Sequence, residues 1–226
     1  MRKIILLVFG LTSALSFAQV NHPSVQASLL APGVIENIAG LLNKPAIIKP
    51  SEVIVLGKGW HIVANDAHVL SDEVNVKQVA AVLLDLDNQG KYFNGKKNKL
   101  ASTVVKYDAV ETIVDFITIT PILGLQIKTP YRALVKTTVK SNADILLEVV
   151  QTESDIAANN TVKNLYSIRY AQTVVINDKT YTYVRFYSYE EVNTSILPGA
   201  RSILAGSSDA ANLEAVQLLI TAAKSK

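Results

Sequence analysis

Residues Leu125–Val139, LQIKTPYRALVKTTV, alternate along their whole length. Leu125, Ile127, Thr129, Tyr131, Ala133, Val135, Thr137 and Val139 fall on one face. Gln126, Lys128, Pro130, Arg132, Leu134, Lys136 and Thr138 fall on the other, and Lys140 continues it. Successive side chains of a strand point to opposite faces, so this is a ribbon with one buried face and one basic, solvated face. Such a ribbon needs strands to pair with and something to cover its apolar side.

The pairing partners lie on both sides of it in sequence. Strands are predicted over 101–107 and 110–119, joined at Asp108, with a turn over 121–124 leading into the central ribbon. Ser141-Asn142-Ala143 turns the chain into a strand over 144–152. A polar loop over 153–160 is followed by a long strand over 162–176. Asn177-Asp178 is a hairpin signal, and a strand over 180–191 returns from it. The whole of 100–191 therefore reads as one antiparallel meander. In its last strand Tyr181, Tyr183, Tyr187 and Tyr189 share a face with Arg185, while Thr182, Val184, Phe186 and Ser188 share the other. A tyrosine row of this kind is either a stacking platform or, more often, cross-strand packing.

Helical signals flank the meander. Asn75 is an N-cap candidate for a helix over 76–86, with Val79, Val82, Leu83 and Leu86 as its apolar stripe. Asp87-Asn88-Gln89-Gly90 breaks it, and Lys91-Tyr92-Phe93 forms a second helical turn stopped by Asn94-Gly95. At the far end Asp209 is a cap candidate for a helix reaching 224, with Leu213, Val216, Leu219 and Ile220 on its apolar side and a shorter helical piece over 200–205 before it. Ahead of all this, 52–70 reads as extended, with a turn or bulge at Gly57-Lys58-Gly59 and the single tryptophan, Trp60, as a core candidate.

The N-terminus reads as a targeting segment. Arg2 and Lys3 precede the apolar run 4–11, and Ser16-Phe17-Ala18 offers small residues for cleavage before Gln19. The run is too short for a stable membrane span, and no Cys follows it to carry a lipid. Residues 1–18 are thus expected to be a bacterial-type signal peptide, 19–51 a partly helical leader interrupted at Pro32-Gly33, with an extended linker between Pro45 and Pro50, and 52–226 one domain. Periplasmic or secreted localisation follows as the expectation. Of 22 basic residues, Arg2 and Lys3 leave with the signal, so the mature chain carries 20 against 19 acidic, a net charge of +1. That excludes a nucleic-acid footprint built on clustered positive charge. The absence of cysteine excludes thiol catalysis, zinc–thiolate and Fe–S sites.

The order is a strand, two short helices, six antiparallel strands and a terminal helix. The stretch NVKQVAAVLLDLDNQGKYF, Asn75 to Phe93, resembles the START-like (SRPBCC, birch-pollen-allergen-like) superfamily pattern of a valine-rich helix, an aspartate and an aromatic short helix. TPYRALVKTTVK, Thr129 to Lys140, resembles one of its central strands. The resemblance covers 52–224 and implies the α+β helix-grip fold, a curved antiparallel sheet wrapped around a long C-terminal helix. The glycine-rich loop of the plant members is missing, since 87–100 holds only Gly90 and Gly95, which argues against a nucleotide or ribonuclease reading.

The chemistry-bearing residues are sparse. His61 and His68 are seven apart, an odd offset that points them to opposite faces of one strand, so no metal site is expected. Asp85 and Asp87 read as turn residues. Glu111 and Asp115 share one strand face and Glu148 lies on another; a carboxylate turned into an apolar cavity would have a raised pKa, but these read as outward. Asn159-Asn160-Thr161 and Asn193-Thr194-Ser195 fit the glycosylation pattern by chance in a bacterial export context.

The inward faces mix small and aromatic residues, which suits an apolar cavity with a few hydroxyls. The expected function is binding or transport of a hydrophobic, lipid-like molecule. The expected contacts are Phe116, Tyr131, Val135, Val184, Phe186, Leu213, Val216 and Ile220. The ligand would enter by movement of the terminal helix or of 121–124. No catalytic residue, cofactor or metal is assigned, and a monomer with transient membrane contact at most is expected. Two alternatives stay open. One is a cyclase or hydrolase acting on a small aromatic or polyketide-like substrate, signalled by Arg169, Arg185, His61 or Glu148 converging inward. The other is an interaction module using the tyrosine row.

Overall fold

The computed structural model describes residues 38–122, 125–139, 144–154, 162–193 and 200–226. The signal segment, the leader up to residue 37, the tip at 123–124, the turn at 140–143, the loop at 155–161 and residues 194–199 lie outside them, and with them the triad 159–161 and all of the second triad but Asn193.

The central ribbon is strand β5, Leu125–Val139. It is one of eight antiparallel strands in a single sheet of order β1-β2-β8-β7-β6-β5-β4-β3. The others are β1 Ile47–Gly57, β2 Trp60–Ser71, β3 Lys99–Lys106, β4 Glu111–Ile122, β6 Ile145–Ser154, β7 Val162–Ile176 and β8 Lys179–Asn193. Register carries the alternation of β5 across the sheet. Tyr131, Ala133 and Val135 stand opposite Phe116, Val114 and Thr112 of β4, and Val135 stands opposite Val149 of β6. One side of the sheet is thereby apolar and concave, and its core residues Val114, Ala133, Val135, Ile145 and Leu147 are buried.

The extended stretch before the helices is a hairpin and contributes two strands where the sequence pattern suggested one. Gly57, Lys58 and Gly59 all have positive φ, at 95°, 51° and 79°. Two glycines supply that conformation without a Cβ penalty, so the chain reverses there. Strand β1 begins at Ile47, inside the segment that Pro45 and Pro50 were expected to hold as a linker. Pro50 falls at a register shift between Lys49 and Glu52 on this edge strand, where a residue lacking an N–H is tolerated. Trp60, expected in the core, is half-buried at the start of β2.

Helix α1, Val76–Leu83, starts with a reciprocal capping box. The Asn75 side chain accepts from the Gln78 N–H at 3.0 Å, and the Gln78 side chain accepts from the Asn75 N–H at 2.9 Å. The helix stops before Leu86 because Gln89, fully buried, takes over its terminal carbonyls. Gln89 Nε2 donates to the Val82 and Asp85 carbonyls, each at 3.0 Å. A 3-10 turn, Leu86–Asn88, and the short helix α2, Gln89–Tyr92, follow. Asp85 and Asp87 serve this corner as turn residues. Asp85 accepts from Tyr92 and Asn88, and Asp87 accepts from the Val104 N–H of β3 at 2.6 Å. Gly90 lets α2 lie against β3: a methyl group there would sit 2.7 Å from the Leu100 carbonyl oxygen. Gly90→Ala therefore forces backbone apart and is expected to destabilise by roughly 1–3 kcal/mol in urea titration; an unchanged midpoint would refute this.

The C-terminal helix α3, Ala200–Ala223, is continuous, so Asp209 is interior to it and caps nothing. Burial at both ends overrides the local break signal. Leu204 packs on Val53 and Val63 of the hairpin, while Val216, Leu219, Ile220 and Ala223 join the main core with Val79, Val82 and Leu83 of α1. A sheet gripping one long helix, with two short helices between strands, is the helix-grip α+β fold that the sequence pattern implied.

The opposite face of the sheet is covered as well. Tyr183, Tyr187 and Tyr189 of β8 are buried with Tyr166, Ile168 and Tyr170 of β7 and with Leu41, which lies in a 3-10 turn, Ile38–Leu41. The tyrosine row is cross-strand packing, and no exposed aromatic platform exists among the described residues of these strands.

Candidate ligand cavity

The space between the concave face and α3 is filled unevenly. Beside α1, large side chains meet: Val79, Val82 and Leu83 from α1, Val216 and Leu219 from α3, and Val135, Ile145 and Leu147 from the sheet. Along its middle stretch α3 presents the small residues Ser207, Ser208, Ala211 and Ala215 to the sheet, and they leave the space between unfilled. A cavity of about 220 Å³ remains there. Its sheet wall includes Thr118 and Thr120 of β4, Thr129 and Tyr131 of β5, Ser167 and Arg169 of β7, and Phe186, Ser188 and Glu190 of β8. Leu100, Leu165, Leu204 and Leu218 add apolar surface, and Phe93 closes one side behind α2.

Polar side chains pin α3 beside it. Asn65 of β2 donates to Ser208 and accepts from Asn212 and, at 2.8 Å, from the Ser188 hydroxyl. Glu214 of α3 also borders the cavity. Its carboxylate accepts from the Lys96 N–H at 2.9 Å and the Lys97 N–H at 2.7 Å, tying the loop after α2 to the helix.

Two further charged groups stand in this lining. Arg169 is oriented from three sides. Its Nη1 donates to Gln89 Oε1 at 2.8 Å, and its guanidinium lies 4.9 Å from the Phe93 ring centre and 5.4 Å from that of Phe186. No carboxylate pairs with it among the described residues. Burial pulls its pKa below the ordinary arginine range. Glu190 makes no hydrogen bond or ion pair among the described residues, and burial alone pushes its pKa up to about 7. Tyr131 is close enough to feel both. Burial raises its hydroxyl pKa, Arg169 acts to lower it, and Glu190 acts to raise it.

Of the eight expected contact residues, Tyr131 and Phe186 line this cavity. Phe116, opposite Tyr131 on β4, stacks on its ring with centres 5.3 Å apart and does not itself line the cavity. Val135, Val184, Val216 and Ile220 are buried in the packed half, with Leu213 partly buried against it. Sequence reasoning did not name Glu190, although its position continues the inward face of Thr182, Val184, Phe186 and Ser188 by one step. Arg169, one of the four residues whose convergence would signal an enzyme, does face inward. Arg185 does not: it faces the other side of the sheet and pairs with Asp66. His61 does not line the cavity; its Nδ1 lies 3.2 Å from the Gly59 carbonyl oxygen. The side chain of Glu148 lies outside the described residues. Glu111 and Asp115 are outward as expected, paired with Lys136 at 3.3 Å and Arg132 at 2.7 Å. His61 and His68 lie on opposite sides of β2, and no group of three metal-ligating side chains occurs among the described residues.

No protein-family profile matches the sequence, and no curated protein matches it significantly. Solved structures match by shape. Protein TTHA0849 from Thermus thermophilus has a TM-score of 0.50 at 13% identity, over 72% of this chain and 96% of its own. The ZhuI aromatase/cyclase from Streptomyces sp. R1128 has a TM-score of 0.49 at 11% identity, over 72% of this chain and 94% of its own. Human STARD10 has a TM-score of 0.49 at 11% identity, over 77% of this chain and 73% of its own. At these identities the likeness is one of fold, and no ligand or activity passes across it.

Proposed function

We propose that this helix-grip protein is an exported carrier of a hydrophobic small molecule held between the sheet and α3. The supporting observation is the cavity itself: a partly enclosed space whose lining mixes leucines and aromatic rings with hydroxyls, amides and the charged Arg169, Glu190 and Glu214, left open where α3 carries small residues. At 220 Å³ it is smaller than the roughly 300–1,000 Å³ of drug-sized pockets, so a compact ligand or a short chain fits better than a diacyl lipid. Burial of roughly 200 Å² of apolar ligand surface contributes about 5 kcal/mol before the costs of association. Export rests on the N-terminal pattern alone.

The cavity is tested by filling it. Ala211 lines the cavity from α3, and Ala211→Phe places a ring in the space. Nile red, a neutral apolar dye, is expected to bind the wild type and to lose at least about tenfold in affinity in this variant, with the melting temperature retained. Native mass spectrometry of the purified protein should show a bound small molecule. A wild type that carries nothing and binds no apolar dye sinks the proposal. Export predicts an intact mass starting at Gln19 in periplasmic or medium fractions.

A second reading has its own support. Glu190, with a pKa of about 7, shares the cavity with Tyr131 and Arg169, and a carboxyl poised near neutrality suits general acid–base chemistry on a small aromatic substrate. The same extracts discriminate: a carrier returns its ligand unchanged, and an enzyme returns a product.

A further inference from the structure

A partly buried arginine that borders a cavity with no carboxylate beside it among the described residues needs an explanation that neutral ligands do not provide. Burying a guanidinium costs free energy unless it is paired, and surrounding residues normally supply a carboxylate. Arg169 has none among the described residues. It does have an orienting frame. Gln89 is fully buried and fixed through Nε2 to the Val82 and Asp85 carbonyls, so its Oε1 is left to hold Arg169 Nη1. The Phe93 and Phe186 rings lie against the guanidinium. Gln89 engages one of five N–H donors, and Arg169 itself borders the empty space. Such a fork, pre-oriented and short of acceptors, matches a planar monoanion. The hydroxyls of Thr118, Thr129 and Ser167 lie in the same lining and can donate to it. One cation, a modest volume and the nearby Glu190 all disfavour a dianion such as a phosphate monoester.

Resting on the reading of this cavity as a ligand site, we propose that it selects an apolar molecule with a carboxylate head, the head paired to Arg169 and the tail lying along Leu165, Leu204 and Leu218.

Decanoate, 1-decanol and methyl decanoate share one tail and differ in the head. Their displacement of Nile red from the full chain is measured near pH 6, where decanoate is ionised and Glu190 mostly neutral. Decanoate is expected to bind roughly 10–100-fold more tightly than either neutral analogue. Arg169→Met should abolish that preference and leave 1-decanol within about threefold of the wild type. Arg169→Lys, which keeps the charge without the fork, should retain only part of it. Gln89→Leu, which keeps Arg169 but removes its orienting acceptor, should also erode it. Far-UV melts confirm folding, and if Arg169→Met does not fold, the lysine and Gln89 variants carry the test. Equal binding of all three ligands to the wild type overturns the anion proposal while leaving the carrier reading intact. So does a decanoate preference that survives intact in the variants that fold. Binding of none of the three overturns both.

Discussion

Asp66→Ala is expected to cost about 3–5 kcal/mol of stability, with the fold lost at correspondingly lower urea. Asp66 lies in β2 on the side away from the cavity, where the tyrosine row packs. Arg185 Nε and Nη2 donate to its two oxygens at 2.8 and 2.7 Å, and His68 Nε2 lies 3.3 Å away. The Asp66 and Arg185 side chains are only 13% and 5% exposed. His68 Nδ1 in turn meets the hydroxyl of Tyr183, which is fully buried, at 2.8 Å. Truncating Asp66 removes the carboxylate that neutralises a buried guanidinium, which is why the cost far exceeds that of an exposed pair such as Lys136 with Glu111. Asp66→Asn keeps the shape and should cost less. The pH dependence has a definite sign. Burial opposes ionisation of Asp66, but hydrogen bonds and charge from His68 and Arg185 outweigh it, and its pKa is lowered in the fold. A depressed carboxyl contributes stability above its unfolded value, near 3.9, and loses it as pH falls through the folded value. The gap between wild type and variant should thus be constant from about pH 5 to 8 and shrink in acid below about pH 4. Coincident urea curves at neutral pH would sink the prediction.

Glu190→Gln is expected to act in the opposite sense and stabilise the protein above neutrality. The Glu190 carboxyl is raised by burial from 4.5 to about 7. A raised carboxyl contributes stability below its unfolded pKa, and that contribution is lost as pH rises through the folded value. Complete transfer of such a shift would amount to about 3 kcal/mol; for a half-buried side chain beside a cavity, roughly 2 kcal/mol is the appropriate scale. The variant should therefore exceed the wild type by about that much at pH 8 and by little at pH 4.5. Urea unfolding at both values measures it. An equal loss of stability at both would show that the carboxyl is held by bonds a glutamine cannot make. A carboxyl kept at such cost beside the candidate cavity marks Glu190 as a functional-site candidate.

Much of the architecture can be read along the chain. The alternation of β5 names its two faces without any coordinates, and Lys128, Arg132 and Lys136 do lie outward. Asn75 caps α1, and Asn177-Asp178, both with positive φ, turn β7 into β8. These are local features, set by backbone geometry and short-range hydrogen bonds. Local reasoning failed where a signal had two solutions. Asp209 looked like a cap, but burial of Leu204 on one side and Val216 on the other holds the helix through it. Gly57-Lys58-Gly59 could have been a bulge, and became a hairpin because β2 pairs with both β1 and β8.

The cavity depended most on assembly. Period two in a strand puts Arg169 beside Leu165 and Ser167, and Glu190 beside Phe186 and Ser188, so the chain alone determines that these charges share a face with apolar residues. It does not determine which half of the grip is filled. That follows from where α1 inserts its valines and where α3 offers serine and alanine, a matter of summed volumes between elements far apart in sequence. Nor does alternation reveal that both faces of β8 are covered, since burial of the tyrosine row comes from its packing with β7 and Leu41. Faces and turns belong to the chain, because their forces act over a few residues; the cavity, and the bringing together of Arg169 and Glu190 in its lining, belong to the packing.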